Sequence, residues 1–333
     1  MTLCVSKGWL LQDWRSFYAI YLVACAVITT ILNGTSLAIL CKRSMRSHES
    51  NNFVTSLAVS DTIVGLVLCP LIAMSCLTKN EEYYCTQLTI SGVLFCIIVG
   101  SSASSLAAIA YDRYLIVSPN DYHSKMTLNK SRLILFLCWC VPLAMIILNV
   151  FKRQLYIFAA AAHALLLLIV IAVSYRLIVK RISCQVTESN NINRNNNNTH
   201  INDSESNLPH LSNSQRNLRI ARNKKISHRL LILIAAYCIC LLPGAFSSII
   251  GISLGIAEKG TINSLGATTQ FSNRSMHLRM IGATGGVLNS VFNPIIYVFT
   301  YPKFKAEIKK IFPWLFSSVL LNWARKRRIG VIG

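Results

Sequence analysis

The chain has 333 residues, 53% of them hydrophobic and only 14% charged, with a mean hydropathy of +0.49. Soluble domains carry about 25% charged residues, so a soluble fold is excluded and a polytopic membrane protein is indicated. The formal net charge of +21 would suit a nucleic-acid binder, but in a membrane chain basic residues mark the cytoplasmic side, and no nucleic-acid partner is expected.

In chain order, residues 1–17 are short and of mixed polarity and lack the layout of a removable signal. They are expected to be extracellular. The first span is Tyr18 to Cys41, with Asn33 as its strongly polar residue, and Lys42, Arg43 and Arg46 follow it. The second is Phe53 to Leu77, with Asp61 inside. The third, Gln87 to Val117, is apolar throughout and ends in Asp112-Arg113-Tyr114. Such a helix is roughly 45 Å long, more than the ~30 Å of bilayer hydrocarbon. Its interior run of Gly100 and Ser101 to Ser105 suits close packing, which predicts a central helix. The fourth span, Leu133 to Val150, carries Trp139 and Pro142; the fifth, Leu155 to Val179, carries His163, Ser174 and Tyr175. The sixth, Ile226 to Leu254, is broken by Pro243, and the seventh, Leu278 to Phe299, holds Asn289, Asn293, Pro294 and Tyr297. The fold class is therefore all-α, a bundle of seven transmembrane helices over 18–300.

About three-quarters of the 33 lysines and arginines lie at or beyond the ends of spans one, three, five and seven. The positive-inside rule then places the N-terminus outside and the C-terminus in the cytoplasm. Between spans five and six, residues 183–222 turn Asn- and Ser-rich, with the run Asn191 to Asn198, and a disordered cytoplasmic loop is expected. After span seven, residues 301–316 place Phe304, Ile308, Ile311 and Phe312 on one face among Lys303, Lys305, Lys309 and Lys310. That pattern predicts an amphipathic helix on the inner leaflet, followed by a basic tail over 317–333.

The ordered set of motifs resembles the rhodopsin-like (class A) G protein-coupled receptors over the whole length. It comprises Asn33, Leu57-Ala58-Val59-Ser60-Asp61, Asp112-Arg113-Tyr114, Trp139, Tyr175, Pro243 and Asn293-Pro294-Ile-Ile-Tyr297, one motif per span. The resemblance implies a plasma-membrane receptor, not an enzyme, with a heterotrimeric G protein as partner and an extracellular ligand. It also implies that the splay of helix six about Pro243 drives coupling, with Tyr175 and Tyr297 meeting Arg113. No resident cofactor is implied beyond sodium as an allosteric ion, at Asp61, Ser102, Asn289 and Asn293. A carboxylate among hydroxyl and amide oxygens suits a small hard cation or a proton. The alternative is a transporter or channel using Asp61, which should show internal repeats that this chain lacks.

Departures from the pattern are informative. Leu241 replaces the family's helix-six tryptophan, Leu167 replaces the helix-five proline, and the second outer loop near Phe151 to Gln154 is minimal and holds no cysteine. Cys85 therefore lacks the family's usual partner and could pair with Cys4 or Cys76. The small outer loop resembles melanocortin receptors, and Ser56 to Gly65 resembles adenosine receptors; the cannabinoid receptors belong to the same group. The pocket positions implied are Phe95, Val99, His163, Leu241, Ser248 and Val287. Phe95 stands where amine receptors have aspartate, Val287 where opsins have the retinal lysine, and Ser248 where adenosine receptors have asparagine. A hydrophobic or lipid-like ligand, or the apolar tip of a peptide, is expected. Asn223 stands where many members have an acid at the foot of helix six, between Arg222 and Lys224. The missing acid predicts weak restraint of Arg113 and basal signalling. Asn273-Arg-Ser275 is the one glycosylation sequon expected outside.

Overall fold

A computed structural model describes residues 12–42, 50–78, 81–118, 126–151 and 153–198, most of 214–240, residues 280 and 282–296, and residues 302–311 and 313. No strand occurs among the described residues. Helix α1 is Gln12–Leu40. The second span is compound: α2, Ser50–Ile63, passes through a π-helical turn, Val64–Leu68, into α3, Cys69–Leu77. Then come α4, Glu81–Val117; α5, Leu128–Phe151; α6, Arg153–Asn198; and α7, Pro302–Ile311. The described positions within 214–240 and 280–296 are helical and belong to spans six and seven. Among the described residues, five helices are long and apolar enough to cross a membrane.

The π turn has a local cause. Pro70 has no amide hydrogen, so the carbonyl four residues earlier loses its donor. The ladder shifts by one residue, and the Cys69 amide bonds the Val64 carbonyl. Gly65, in the same turn, faces the Thr30 backbone of α1 so closely that a Cβ would stand 2.9 Å from its nitrogen.

Helix α4 is the centre of the bundle. Of its most apolar stretch, 67% is buried, against 17% for that of α5 and 11% for that of α6. Ser101 to Ala110 are buried without interruption, as expected of a helix surrounded by others. The first core cluster gathers Phe53, Leu57, Ile109, Met126, Ile178 and Phe304; the second gathers Leu22, Val64, Leu68, Ile98 and Val287.

Two expectations about the segments after spans five and seven meet the structure directly. The amphipathic helix is present as α7, starting at Pro302 with Phe304 buried and Lys309 and Lys310 exposed. The expected disorder over 183–222 is corrected at its start, because α6 runs on to Asn198 without a break. At 46 residues it is roughly 69 Å long, far beyond the bilayer. The extension has partners: Ile182 is buried, the Ser189 hydroxyl donates to Asn217 Oδ1 at 3.3 Å, and Asn223 Nδ2 donates to Gln185 Oε1 at 2.9 Å. Contacts across to span six hold a polar sequence in helix where its composition alone predicted none.

Candidate functional site

In mid-bundle, Asp61 of α2 is fully buried. Its Oδ1 accepts from the hydroxyls of Ser290 at 2.7 Å and Ser102 at 3.1 Å, and its Oδ2 accepts from Asn293 Nδ2 at 2.7 Å. The carboxylate thus ties span two to α4 and to span seven. A mid-membrane acid without partners costs about 2.5–3.5 kcal/mol on insertion scales, and three donors offset that. Helix α1 joins the network through Asn33, whose Nδ2 donates to the Ser290 carbonyl at 2.9 Å and the Thr29 carbonyl at 3.0 Å. Asn289 is buried too, and its Oδ1 has no hydrogen-bond partner among the described residues. Of the residues expected here, Asp61, Ser102 and Asn293 are in direct contact, and Ser290 completes the set.

A carboxylate with two serine hydroxyls and the oxygen-bearing amide of Asn293 is an oxygen-rich set of the kind that suits a small hard cation. Ser102 and Ser290 can turn lone pairs inward, since a hydroxyl is both donor and acceptor.

At the C-terminal end of α4, Asp112 is buried and Arg113 is mostly covered, with Nε 3.8 Å from Asp112 Oδ2. Tyr114 and Tyr175 pack on the first core cluster, and Pro294 is buried in span seven. Nearby, Trp139 Nε1 donates to Ser56 Oγ at 3.0 Å, and Ser56 pairs with Ser105 at 3.0 Å, fastening α5 and α2 to α4. Asn223 is bonded to Gln185, and Gln185 Nε2 in turn donates to the Val117 carbonyl at 3.4 Å. Gln185 escaped the sequence reading because the hydropathy signal of span five ends before it.

Towards the N-terminal half of α4, Phe95 lies against Gly286: a Cβ there would stand 2.8 Å from the ring and 3.4 Å from Val99. Val287 is fully buried. His163 sits on α6 against α4, its Nε2 3.2 Å from Ser104 Oγ. Ser104 Oγ also donates to the Gly100 carbonyl at 2.8 Å, and the His163 contact bridges two helices. Pro243, Tyr297, Leu241, Ser248 and Asn273 lie outside the described residues, as does the side chain of Cys85.

Beyond the spans Glu307 accepts from Lys42 at 2.6 Å and Lys310 at 2.9 Å, joining α7 to the end of α1. The two ammonium groups pull the Glu307 carboxyl down from its usual 4.5 to about 2. A lone acid among lysines was the available signal for this pair.

An all-helical membrane bundle, pinned by a buried carboxylate and ending its central helix in Asp-Arg-Tyr, defines a seven-helix transducer. The family described as "7 transmembrane receptor (rhodopsin family)" matches residues 33–163 and 149–297, and the chain belongs to it. The chain is therefore a receptor and not an enzyme, and it is a multi-pass membrane protein. Among similar proteins is the 5-hydroxytryptamine receptor 1B of Vulpes vulpes, 26% identical over 45% of this chain and 40% of that receptor. The match thus spans less than half of that receptor's length. Trace amine-associated receptor 2 of Mus musculus is 25% identical over 87% of this chain and 83% of its own. The crystal structure of squid rhodopsin superposes with a TM-score of 0.71 at 18% identity, over 94% of this chain and 91% of that one. It shares the fold.

Proposed function

We propose that this receptor sits in the plasma membrane with its N-terminus outside, binds an extracellular ligand in its outer half and activates a heterotrimeric G protein at its inner face. The observation that carries the reading is the single helix α4. It bears Ser102 in the Asp61 network and, at its inner terminus, Asp112 and Arg113. A rearrangement of the polar centre would reach the coupling end through one rigid element. The proposed switch joins Asp112, Arg113, Tyr114, Tyr175 and Asn223 to Pro243, Asn293, Pro294 and Tyr297. Pro243 and Pro294 each interrupt a helical ladder and allow helices six and seven to bend, and outward movement of helix six would expose Arg113.

The fit of the central oxygens supports sodium at Asp61, Ser102, Asn289 and Asn293, with Ser290. The ion would supply fixed positive charge that favours one packing of spans two, three and seven. For the ligand, Phe95 packed on Gly286 supports an apolar partner, lipid-like or the apolar end of a peptide. The two relatives named above have amines in their titles, but no carboxylate stands at Phe95 here. Val287, at the opsin lysine's position, cannot form a Schiff base.

A ligand screen in cells carrying a promiscuous Gα subunit tests the reading, with Arg113→Ala at matched surface expression as the control. Hydrophobic ligands should raise second-messenger output through the wild type, and Arg113→Ala should lose most of it. A response that Arg113→Ala leaves intact would remove α4 from the coupling path.

A further inference from the structure

We infer that Gln185 is the positioning residue that holds the inner ends of helices three, five and six together in the resting receptor, through an uncharged amide bridge. This rests on the reading that helix six moves outward to couple. The bridge has two arms: Asn223 Nδ2 donates to Gln185 Oε1 at 2.9 Å, and Gln185 Nε2 donates to the Val117 carbonyl at 3.4 Å. One side chain from α6 therefore spans α4 and the sixth span.

Each arm has a physical reason. Val117 is the last residue of α4 and fully buried. Its carbonyl is among the four that a helix leaves without an internal donor, at the negative end of the helix dipole. A donor from outside the helix must satisfy it, and Gln185 Nε2 does so. Asn223 is only 4% exposed, so its amide also needs a partner away from water. A glutamine is the one common side chain of that length that can accept from an amide and donate to a carbonyl at the same time. A glutamate at 185 could not donate to Val117, and a lysine could not accept from Asn223.

Asn223 supplies no acid for Arg113, but it is itself held, by a contact that carries no charge, while Lys224 and Lys225 point to solvent. A net hydrogen bond of ordinary strength corresponds to about a three- to tenfold bias between two conformations. Because no ion pair is involved, that bias should be insensitive to salt, where an exposed charge pair would weaken. The continuation of α6 beyond the bilayer gains a purpose, since a helix ending at Val179 would not bring Gln185 to the bridge.

The test uses the full-length receptor in lipid nanodiscs, with two readouts: hydrogen exchange over 183–190 and 220–228, and ligand-free nucleotide exchange on purified heterotrimeric G proteins. Gln185→Ala and Asn223→Ala should each lose protection in both segments and raise basal nucleotide exchange about three- to tenfold. The double variant should match the larger single effect, because both changes open one bridge. Gln185→Lys combined with Asn223→Glu should return both readouts towards wild type, since an ammonium can serve the Val117 carbonyl and a carboxylate together. Unchanged protection in the single variants, or fully additive effects in the double, would overturn the bridge. Lost protection with no change in nucleotide exchange would keep the contact but refute its role in holding the resting receptor, while loss of all nucleotide exchange in every receptor would instead count against the coupling reading.

Discussion

Asp61 shows how one residue can organise a membrane interior. Its two oxygens take three donors from two other spans, and the buried Asn289 Oδ1 has no hydrogen-bond partner among the described residues. If sodium binds there, it stabilises the folded receptor in proportion to site occupancy. Replacing potassium chloride by sodium chloride at constant ionic strength should raise the Tm of the purified wild type. Asp61→Asn, which keeps the shape but loses the charge, should abolish the difference; the same rise in the variant would place sodium elsewhere. Gly285 makes the opposite kind of demand. A Cβ there would collide with the Cys240 carbonyl of span six, whereas Gly92 faces open space. Gly285→Ala should lower stability by about 1–3 kcal/mol, the usual range for overpacking, and Gly92→Ala should leave Tm nearly unchanged. Equal effects of the two would show that spans six and seven do not touch there.

Among the elements, those defined by apolar length were legible from sequence. Spans one to five fall where hydropathy placed them, α4 ends at Val117 as expected, and α7 starts at Pro302. Two features were not. The π turn depends on one missing amide at Pro70, which leaves no mark on hydropathy. The reach of α6 to Asn198 depends on contacts with residues of span six more than twenty-five positions away, which composition cannot report. Of the central site, Asp61 and Asn293 were readable because each sits on a motif, and Ser102 because the family resemblance implied it beside them. Gln185, Glu307 and the His163–Ser104 contact were not, because their meaning lies in what they touch. Helix α7 yields a pH prediction. The Glu307 carboxyl titrates at about 2 rather than 4.5, so its pairs contribute fully above about pH 4.5 and are lost as pH falls towards 2. Hydrogen exchange over 302–311 should therefore rise, after correction for intrinsic rates, as pH drops from about 5 to 3. Glu307→Gln should remove most of that dependence. An identical pH profile in the variant would mean that α7 is held by Phe304 and its apolar face alone.

At the scale of the whole molecule, orientation and coupling are the claims that matter. If the N-terminus is outside, Asn273 is the sequon available for glycosylation, and Asn273→Gln should collapse any glycosidase-sensitive band to the unmodified mass. A glycan that survives the change would invert the proposed topology. The family supplies the class of the molecule, and the described contacts supply the parts of the proposed resting state: a buried carboxylate in the centre, an Asp-Arg pair at the C-terminal end of α4 and an amide bridge from Gln185 to Val117 and Asn223. The most direct measurement is nucleotide exchange by purified heterotrimers of each Gα class, with wild-type receptor and Arg113→Ala in nanodiscs, each with and without the Gln185→Ala change. The account predicts that at least one class is accelerated by wild type, more strongly by Gln185→Ala, and by neither receptor once Arg113 is replaced. Acceleration that persists without Arg113, or none in any class from the Gln185→Ala receptor, would contradict it.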